Sequence, residues 1–172
     1  IWSKRCTICN ISRNRNTMTN IFIESKKKDT PEYVFLDTYV KYIGIPQNAY
    51  TIIPVNGKDA LYNAVNINKI REAVAEGSSN IIIFDADFNH NNGGYRIRRN
   101  DIETKLSQHH VNASIFLFPN NYDDGDFESI LENIMQKQNH QRFIDCFSDY
   151  EKCLGNDYHT PDRKHRLHTY MF

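Results

Sequence analysis

Short apolar runs alternate along the chain with longer segments in which apolar residues recur every three or four positions. Runs such as "NIFIE" and "NIIIFDAD" have the length of β-strands, and the second does not alternate, which is typical of a parallel strand buried on both faces. The longer segments have the period of amphipathic helices. The pattern predicts four strands, at residues 20–24, 50–55, 80–87 and 113–119, each followed by a helix, at residues 30–44, 65–77, 98–110 and 126–138.

This repeated strand–helix order predicts an α/β fold with a four-stranded, mostly parallel sheet flanked by helices. We expect residues 19–138 to form this domain, and residues 139–172 to form a helical extension and a basic tail that pack on it. Residues 1–18 lack the apolar core of a signal peptide and are expected to be a disordered tail. The length agrees with this division, because 172 residues suit a single domain with its own core.

Composition and charge narrow the classes of protein that fit. The 21 basic and 21 acidic residues cancel, so any attraction to nucleic acid must come from local patches. No apolar run approaches the roughly 20 residues that cross a bilayer, so we expect no membrane partner. The four cysteines come without a secretory signal and are expected to be reduced thiols in the cytoplasm. Cys6 and Cys9 have the spacing of half a zinc site, but no matching second pair follows them.

Carboxylates end two of the four predicted strands. Glu24 closes the first strand, and Asp85 and Asp87 close the third. In parallel sheets the carboxyl ends of the strands border the binding crevice, and the second strand leads there into Gly57 and Lys58. Facing carboxylates repel one another unless a cation lies between them, and oxygen ligands favour Mg²⁺ or Mn²⁺ over zinc. The alternative is an ordinary surface loop, in which an isolated Asp-x-Asp sequence commonly lies.

The chain has a strand that ends in Glu24, then a helix, and further along the segment "IIIFDAD". This order resembles the TOPRIM domain, the metal-binding module of topoisomerases, bacterial primases and OLD-type nucleases. The similarity extends to a small standalone branch of TOPRIM-like proteins, through the segments "GGYRIRR" and "FPNNYDDGDFESIL" and the ending "RKHRLHTYMF". It covers roughly residues 20–170. The chain departs from the wider family at Ser25, where a glycine usually follows the glutamate.

The resemblance implies phosphoryl-transfer chemistry on DNA or RNA, with Mg²⁺ or Mn²⁺ as the cofactor. It makes Asp85 and Asp87 metal ligands, and Glu24 either a further ligand or the general acid/base. Glu128 is a fourth candidate ligand, because it follows the last strand and opens a helix. A glutamate in a first helical turn is also an ordinary partner of the helix dipole.

Phosphate contacts are expected from basic residues near the same crevice. The predicted contacts are Lys58, Arg96 and Arg99, and Arg98 lies in the same local patch. Each of these residues also has an ordinary interpretation. Lys58 is then a solvated loop lysine, and the arginines lie at the start of a helix whose acidic residues neutralise them.

These features predict a small nuclease, or a nuclease subunit that works with a partner such as an ATPase. We expect 172 residues to leave no room for the tyrosine-bearing domain of a topoisomerase or the additional parts of a primase. The alternative is a non-catalytic module that binds metal or nucleotide and acts through a partner protein. A receiver domain of the response-regulator class fits less well, since its paired acids follow the first strand and here the pair follows the third.

Overall fold

A four-stranded sheet forms the centre of the fold. The computed structural model describes residues 18–91, 93–137, 140–155 and 158–171, so the predicted tail at residues 1–18 lies outside the described residues except for Met18. The strands are β1 (Thr19–Ile23), β2 (Tyr50–Pro54), β3 (Ser79–Asp85) and β4 (Ser114–Phe118). All neighbouring strands are parallel, and their order across the sheet is β2-β1-β3-β4. The predicted α/β fold with a parallel sheet is therefore confirmed.

Six α-helices accompany the sheet within the described residues. They are α1 (Pro31–Tyr42), α2 (Ala64–Ala75), α3 (Tyr95–Gln108), α4 (Phe127–Lys137), α5 (Gln141–Leu154) and α6 (Arg163–Met171). α1 begins as its sequence predicts: the Thr30 side chain accepts a hydrogen bond from the N–H of Tyr33 at 3.4 Å, and Pro31 occupies the first position. No helix in the described part of the chain is both long and apolar enough to cross a membrane.

The strands send alternate side chains to opposite faces of the sheet, so the core has two halves. In β3, Ile81 and Ile83 pack with residues of α1, α4 and α6, whereas Ile82 and Phe84 pack with residues of α2 and α3. All four are buried, which explains why this run of sequence does not alternate in polarity. The same alternation continues at the end of the strand and directs Asp85 towards the α4 side.

Two element boundaries differ from the prediction in ways that matter for the site. β3 ends at Asp85, before the predicted end at residue 87, because Asp87 has a left-handed φ of 61° and forms an isolated antiparallel bridge to Gly125. α3 begins at Tyr95 rather than at residue 98. The carboxylate of Asp124 accepts a hydrogen bond from the N–H of Tyr95 at 2.7 Å and so caps the earlier start.

The basic C-terminal segment also differs from the prediction, because much of it forms α6 instead of a polar tail. Leu167 is buried in the core half that contains α1 and α4. Arg163 forms ion pairs of 2.7 Å with Asp126, which precedes α4, and with Glu132 within α4. These contacts with α4 stabilise a helix whose own sequence is mostly polar.

Candidate functional site

Asp85 ends β3 at the carboxyl edge of the sheet, on the face that α4 covers. Its Oδ1 accepts a hydrogen bond of 2.9 Å from the N–H of Phe127, the first residue of α4. Burial raises the pKa of Asp85 most, the carboxylates of Glu128 and Glu24 raise it further, and together they bring it to about 8 despite that hydrogen bond. The Asp85 carboxyl is therefore harder to ionise than an ordinary aspartate.

Glu128 lies in the first turn of α4 and is the second acid at this edge. Only 7% of the residue is exposed, and its Oε1 lies 3.3 Å from Nζ of Lys164 in α6. Lys164 is a surface residue, with 72% of its side chain exposed. A buried carboxylate thus has a solvated lysine as its ion-pair partner, and water weakens such a pair.

Glu24 follows β1 directly and is half-buried. The loop after β2 is hydrogen-bonded to it: the N–H of Gly57 donates to the Glu24 carbonyl at 2.8 Å, and the backbone N–H of Lys58 donates to the Glu24 carboxylate. The predicted meeting of the segments after β1 and β2 is therefore present, and it places Lys58 beside Glu24.

Glu24 is electrostatically coupled to both aspartates. Burial raises the pKa of Glu24 most, and Asp87 raises it further, whereas Arg98 and Lys58 lower it. Glu24 in turn raises the pKa of Asp85. This coupling follows from the sheet order, because β1 is the direct neighbour of β3.

Asp87 contacts α3, on the other side of the crevice. Its carboxylate forms an ion pair with Nη2 of Arg98. A Cβ atom on Gly93 would lie 2.4 Å from Cβ of Asp87, so only glycine fits at that position. The N–H of Gly94 donates to the carbonyl of Ala86 at 2.9 Å. The Gly-Gly pair after the Asp-x-Asp sequence therefore folds the loop back against Asp87. We refer to the four acids Glu24, Asp85, Asp87 and Glu128 as the acidic crevice.

The predicted phosphate contacts are distributed between the acidic crevice and other surfaces. Lys58 lies at the crevice, beside Glu24. Arg96 is exposed on α3. Arg99 pairs with Glu103 at 2.8 Å and lines a separate groove of about 620 Å³ between α3 and β4. A phosphate role for these three residues stays a prediction.

Arg98 is the arginine of this patch that reaches the acidic crevice, and the predicted contacts do not include it. Only 6% of the residue is exposed. Arg98, Ile102 and Leu106 are spaced by four residues and are the buried residues of α3. A charged residue within the apolar stripe of a helix is the signal that identifies it in the sequence, since buried charges are rare unless they are paired.

The acidic crevice has the donor chemistry of Mg²⁺ and Mn²⁺, because all its ligating atoms are oxygens. Two of its acids already form ion pairs with basic side chains of the protein: Asp87 with Arg98, and Glu128 with Lys164. No three Asp, Glu, His or Cys side chains of the described residues converge as a metal site in this arrangement. The residues therefore fit a hard divalent cation in type, and its binding requires the carboxylates to converge further.

Comparison with protein-family models, with curated proteins and with solved structures finds no match for this chain.

Proposed function

We propose that this chain is a metal-dependent phosphodiesterase that acts on nucleic acid, either as a small nuclease or as the nuclease subunit of a larger complex. One observation supports this most: at the carboxyl edge of the sheet, burial and the charges of Glu128 and Glu24 raise the pKa of Asp85 to about 8. Desolvated like charges oppose folding, and a divalent cation between them removes the repulsion. The resemblance to the TOPRIM domain, whose acids hold Mg²⁺, agrees with this proposal.

In this proposal Asp85 and Glu128 hold Mg²⁺ or Mn²⁺, and Asp87 joins them if it is released from Arg98. The ion supplies Lewis acidity at the phosphate and lowers the pKa of water. Glu24, whose pKa burial raises, either completes the ligand set or accepts the proton of the attacking water as a general base.

Basic groups and open space next to the acidic crevice support DNA or RNA as the substrate class. Lys58 lies beside Glu24, and the exposed lysines at residues 26–28 follow in the same loop. Lys164 borders a cavity of about 330 Å³ next to Glu128, between α1, α4 and α6. Since the net charge of the chain is zero, attraction to a phosphate backbone depends on such local groups.

A non-catalytic metal- or nucleotide-binding module that acts through a partner is the second candidate. The observation that favours it is the pairing of Arg98 with Asp87 and of Lys164 with Glu128, which neutralises two of the four acids without a metal. In that case a partner protein, such as an ATPase, supplies the catalytic step.

Cleavage of fluorescently labelled single- and double-stranded DNA and RNA, in Mg²⁺ and in Mn²⁺, tests the proposal. We expect the wild-type protein to cleave at least one of these substrates and Asp85→Asn to lose that activity. Asp149→Asn, which changes an exposed acid of α5, is the matched control and should retain it. Cleavage that survives Asp85→Asn would contradict the site assignment. Metal binding without cleavage of any of the four substrates would favour the binding module.

A further inference from the structure

Two arginines support the carboxyl edge of the sheet, and they bind their carboxylates in different ways. Arg163, with 33% of its side chain exposed, donates hydrogen bonds from Nε, Nη1 and Nη2 to Asp126, Ser129 and Glu132. Arg98 is more deeply buried, with 8% of its side chain exposed, and within the described residues its one hydrogen bond runs from Nη2 to Asp87. The buried Nε of Arg98 has no acceptor among them.

The unpaired Nε–H of Arg98 is energetically unfavourable. A guanidinium group presents five N–H donors, and a buried donor without an acceptor has lost its hydrogen bond to water. Arg163 demonstrates that the chain saturates an arginine where it joins two helices. Arg98 is instead desolvated, held by a single acid, and close enough to Glu24 to lower the pKa of that residue. Because no described residue completes its hydrogen bonds, this combination indicates that Arg98 can accept a bound anion as a partner.

Arg166 provides a useful contrast, because its buried Nε also lacks an acceptor among the described residues. Its Nη2 donates to both carboxylate oxygens of Glu151, at 2.9 and 3.2 Å. Its guanidinium also lies over the ring of Phe147, 5.6 Å from the ring centroid. Arg166 is thus occupied between α5 and α6, and Arg98 is the incompletely paired arginine that lies at the acidic crevice.

We propose that Arg98 binds a non-bridging oxygen of the substrate phosphate, exchanging Asp87 for that oxygen when the substrate enters the crevice. The inference rests on the proposed function for the identity of the phosphate as part of a nucleic acid. The planar fork of a guanidinium matches a phosphate as well as a carboxylate, so the exchange keeps a charge-assisted pair and offers an acceptor to the free donor. Arg99 does not serve this role in the crevice, because it is paired with Glu103.

Asp87 is then the partner that keeps Arg98 in place before substrate binds. The loop geometry supports this role, because the left-handed φ of Asp87 and the close approach of Gly93 fix the carboxylate beside the arginine. A buried guanidinium without any partner would destabilise the fold, whereas one carboxylate holds it and leaves donors for a second anion.

Phosphate binding tests the role of Arg98. Inorganic phosphate is titrated into the protein with and without Mg²⁺ and followed by phosphorus NMR. The proteins are the wild type, Arg98→Gln, Arg98→Lys and, as a control, Arg142→Gln, which changes an exposed arginine of α5. We expect Arg98→Gln to weaken phosphate binding about tenfold or more, and Arg98→Lys to weaken it roughly severalfold, because lysine keeps the charge but loses the fork. Arg142→Gln should bind phosphate as the wild type does.

The outcomes separate this inference from the proposed function. Equal phosphate affinity in the wild type, Arg98→Gln and Arg142→Gln would overturn the inference, and so would a wild-type protein that binds no phosphate. If circular dichroism shows that Arg98→Gln does not fold, Arg98→Lys decides the question. Equal Mn²⁺ binding by the wild type and Asp85→Asn would instead contradict the metal site alone. The phosphate titration without Mg²⁺ tests Arg98 independently of that site.

Discussion

The two sides of the acidic crevice balance their charges differently. On the α3 side, Asp87 meets an arginine whose side chain is 8% exposed, so its charge is neutralised inside the protein. On the α4 side, Asp85 and Glu128 lie near one lysine that is 72% exposed, and the pKa of Asp85 rises to about 8. The α4 side is therefore short of positive charge, whereas the α3 side is not.

In the proposed function, the two sides of the acidic crevice therefore bind different groups. A divalent cation stabilises the α4 side more than the α3 side, because the carboxyl of Asp85 there is desolvated. A phosphate binds more favourably on the α3 side, because Arg98 there is incompletely paired. Glu24 is electrostatically coupled to the acids of both sides.

The largest expected effect is on cleavage, and it should differ between the two aspartates. We expect Asp85→Asn to lower the rate by about 10²–10³-fold, the range for loss of a principal electrostatic contact to the transition state. Asp87→Asn should lower it only roughly tenfold, since its main partner in the resting protein is Arg98. Single-turnover cleavage assays measure both rates. A larger loss in Asp87→Asn would reverse the comparison.

The next largest effect is on stability, and it compares the two ion pairs. Arg98→Met should lower the free energy of unfolding by about 2–4 kcal/mol, because it removes the buried partner of Asp87. Lys164→Met should lower it by about 1 kcal/mol or less, because the lysine is solvated. Urea unfolding followed by circular dichroism measures both values. Equal losses would show that the two pairs are not buried to different degrees.

A smaller effect is expected from the glycine that packs against Asp87. Gly93→Ala places a Cβ atom 2.4 Å from Cβ of Asp87, and such overpacking costs about 1–3 kcal/mol of unfolding free energy. Gly44→Ala is the control, since Gly44 has a φ of 80° but no atom near the added Cβ, and should cost about 1 kcal/mol. Cleavage should fall in Gly93→Ala only. Unchanged stability and cleavage in Gly93→Ala would mean that the loop does not fix Asp87.

The most gradual effect is the pH dependence that Asp85 gives to stability. The folded protein binds the Asp85 proton more tightly than the unfolded chain does, because the pKa rises from 3.8 to about 8 on folding. The free energy of unfolding should therefore fall as pH rises from about 4 to about 8, by at most about 1.4 kcal/mol per pH unit from this group. Above that window its contribution is constant.

Asp85→Asn isolates this contribution, because the amide does not titrate. Urea unfolding of both proteins across the window should give a wild-type free energy that falls relative to the variant as pH rises. Parallel curves for the two proteins between pH 4 and 8 would contradict a raised pKa for Asp85.

The acids of the site can be predicted from the sequence because they depend on where strands end. The apolar run before Asp85 identifies a buried parallel strand, and the one before Glu24 identifies its neighbour. Parallel strands place such residues at one edge of the sheet. The side that each aspartate faces is harder to predict, since it depends on the left-handed backbone of Asp87.

The cations of the site depend on contacts that the local pattern does not contain. A helix that starts at residue 98, as predicted, would leave Arg98 at a solvated end. Because Asp124 caps Tyr95, α3 starts earlier, and Arg98 lies within the buried stripe. Lys164 reaches the crevice only because α6 docks on α4 through ion pairs between segments far apart in the sequence.

Mn²⁺ binding followed by electron paramagnetic resonance at pH 8 tests the central claim most directly, because it needs no knowledge of the substrate. The wild-type protein should bind Mn²⁺ in competition with Mg²⁺, and Asp85→Asn should weaken that binding by about tenfold or more, while Asp149→Asn leaves it unchanged. Equal Mn²⁺ affinity in the wild type and Asp85→Asn, or no binding by the wild type, would contradict a metal site on the α4 side of the acidic crevice.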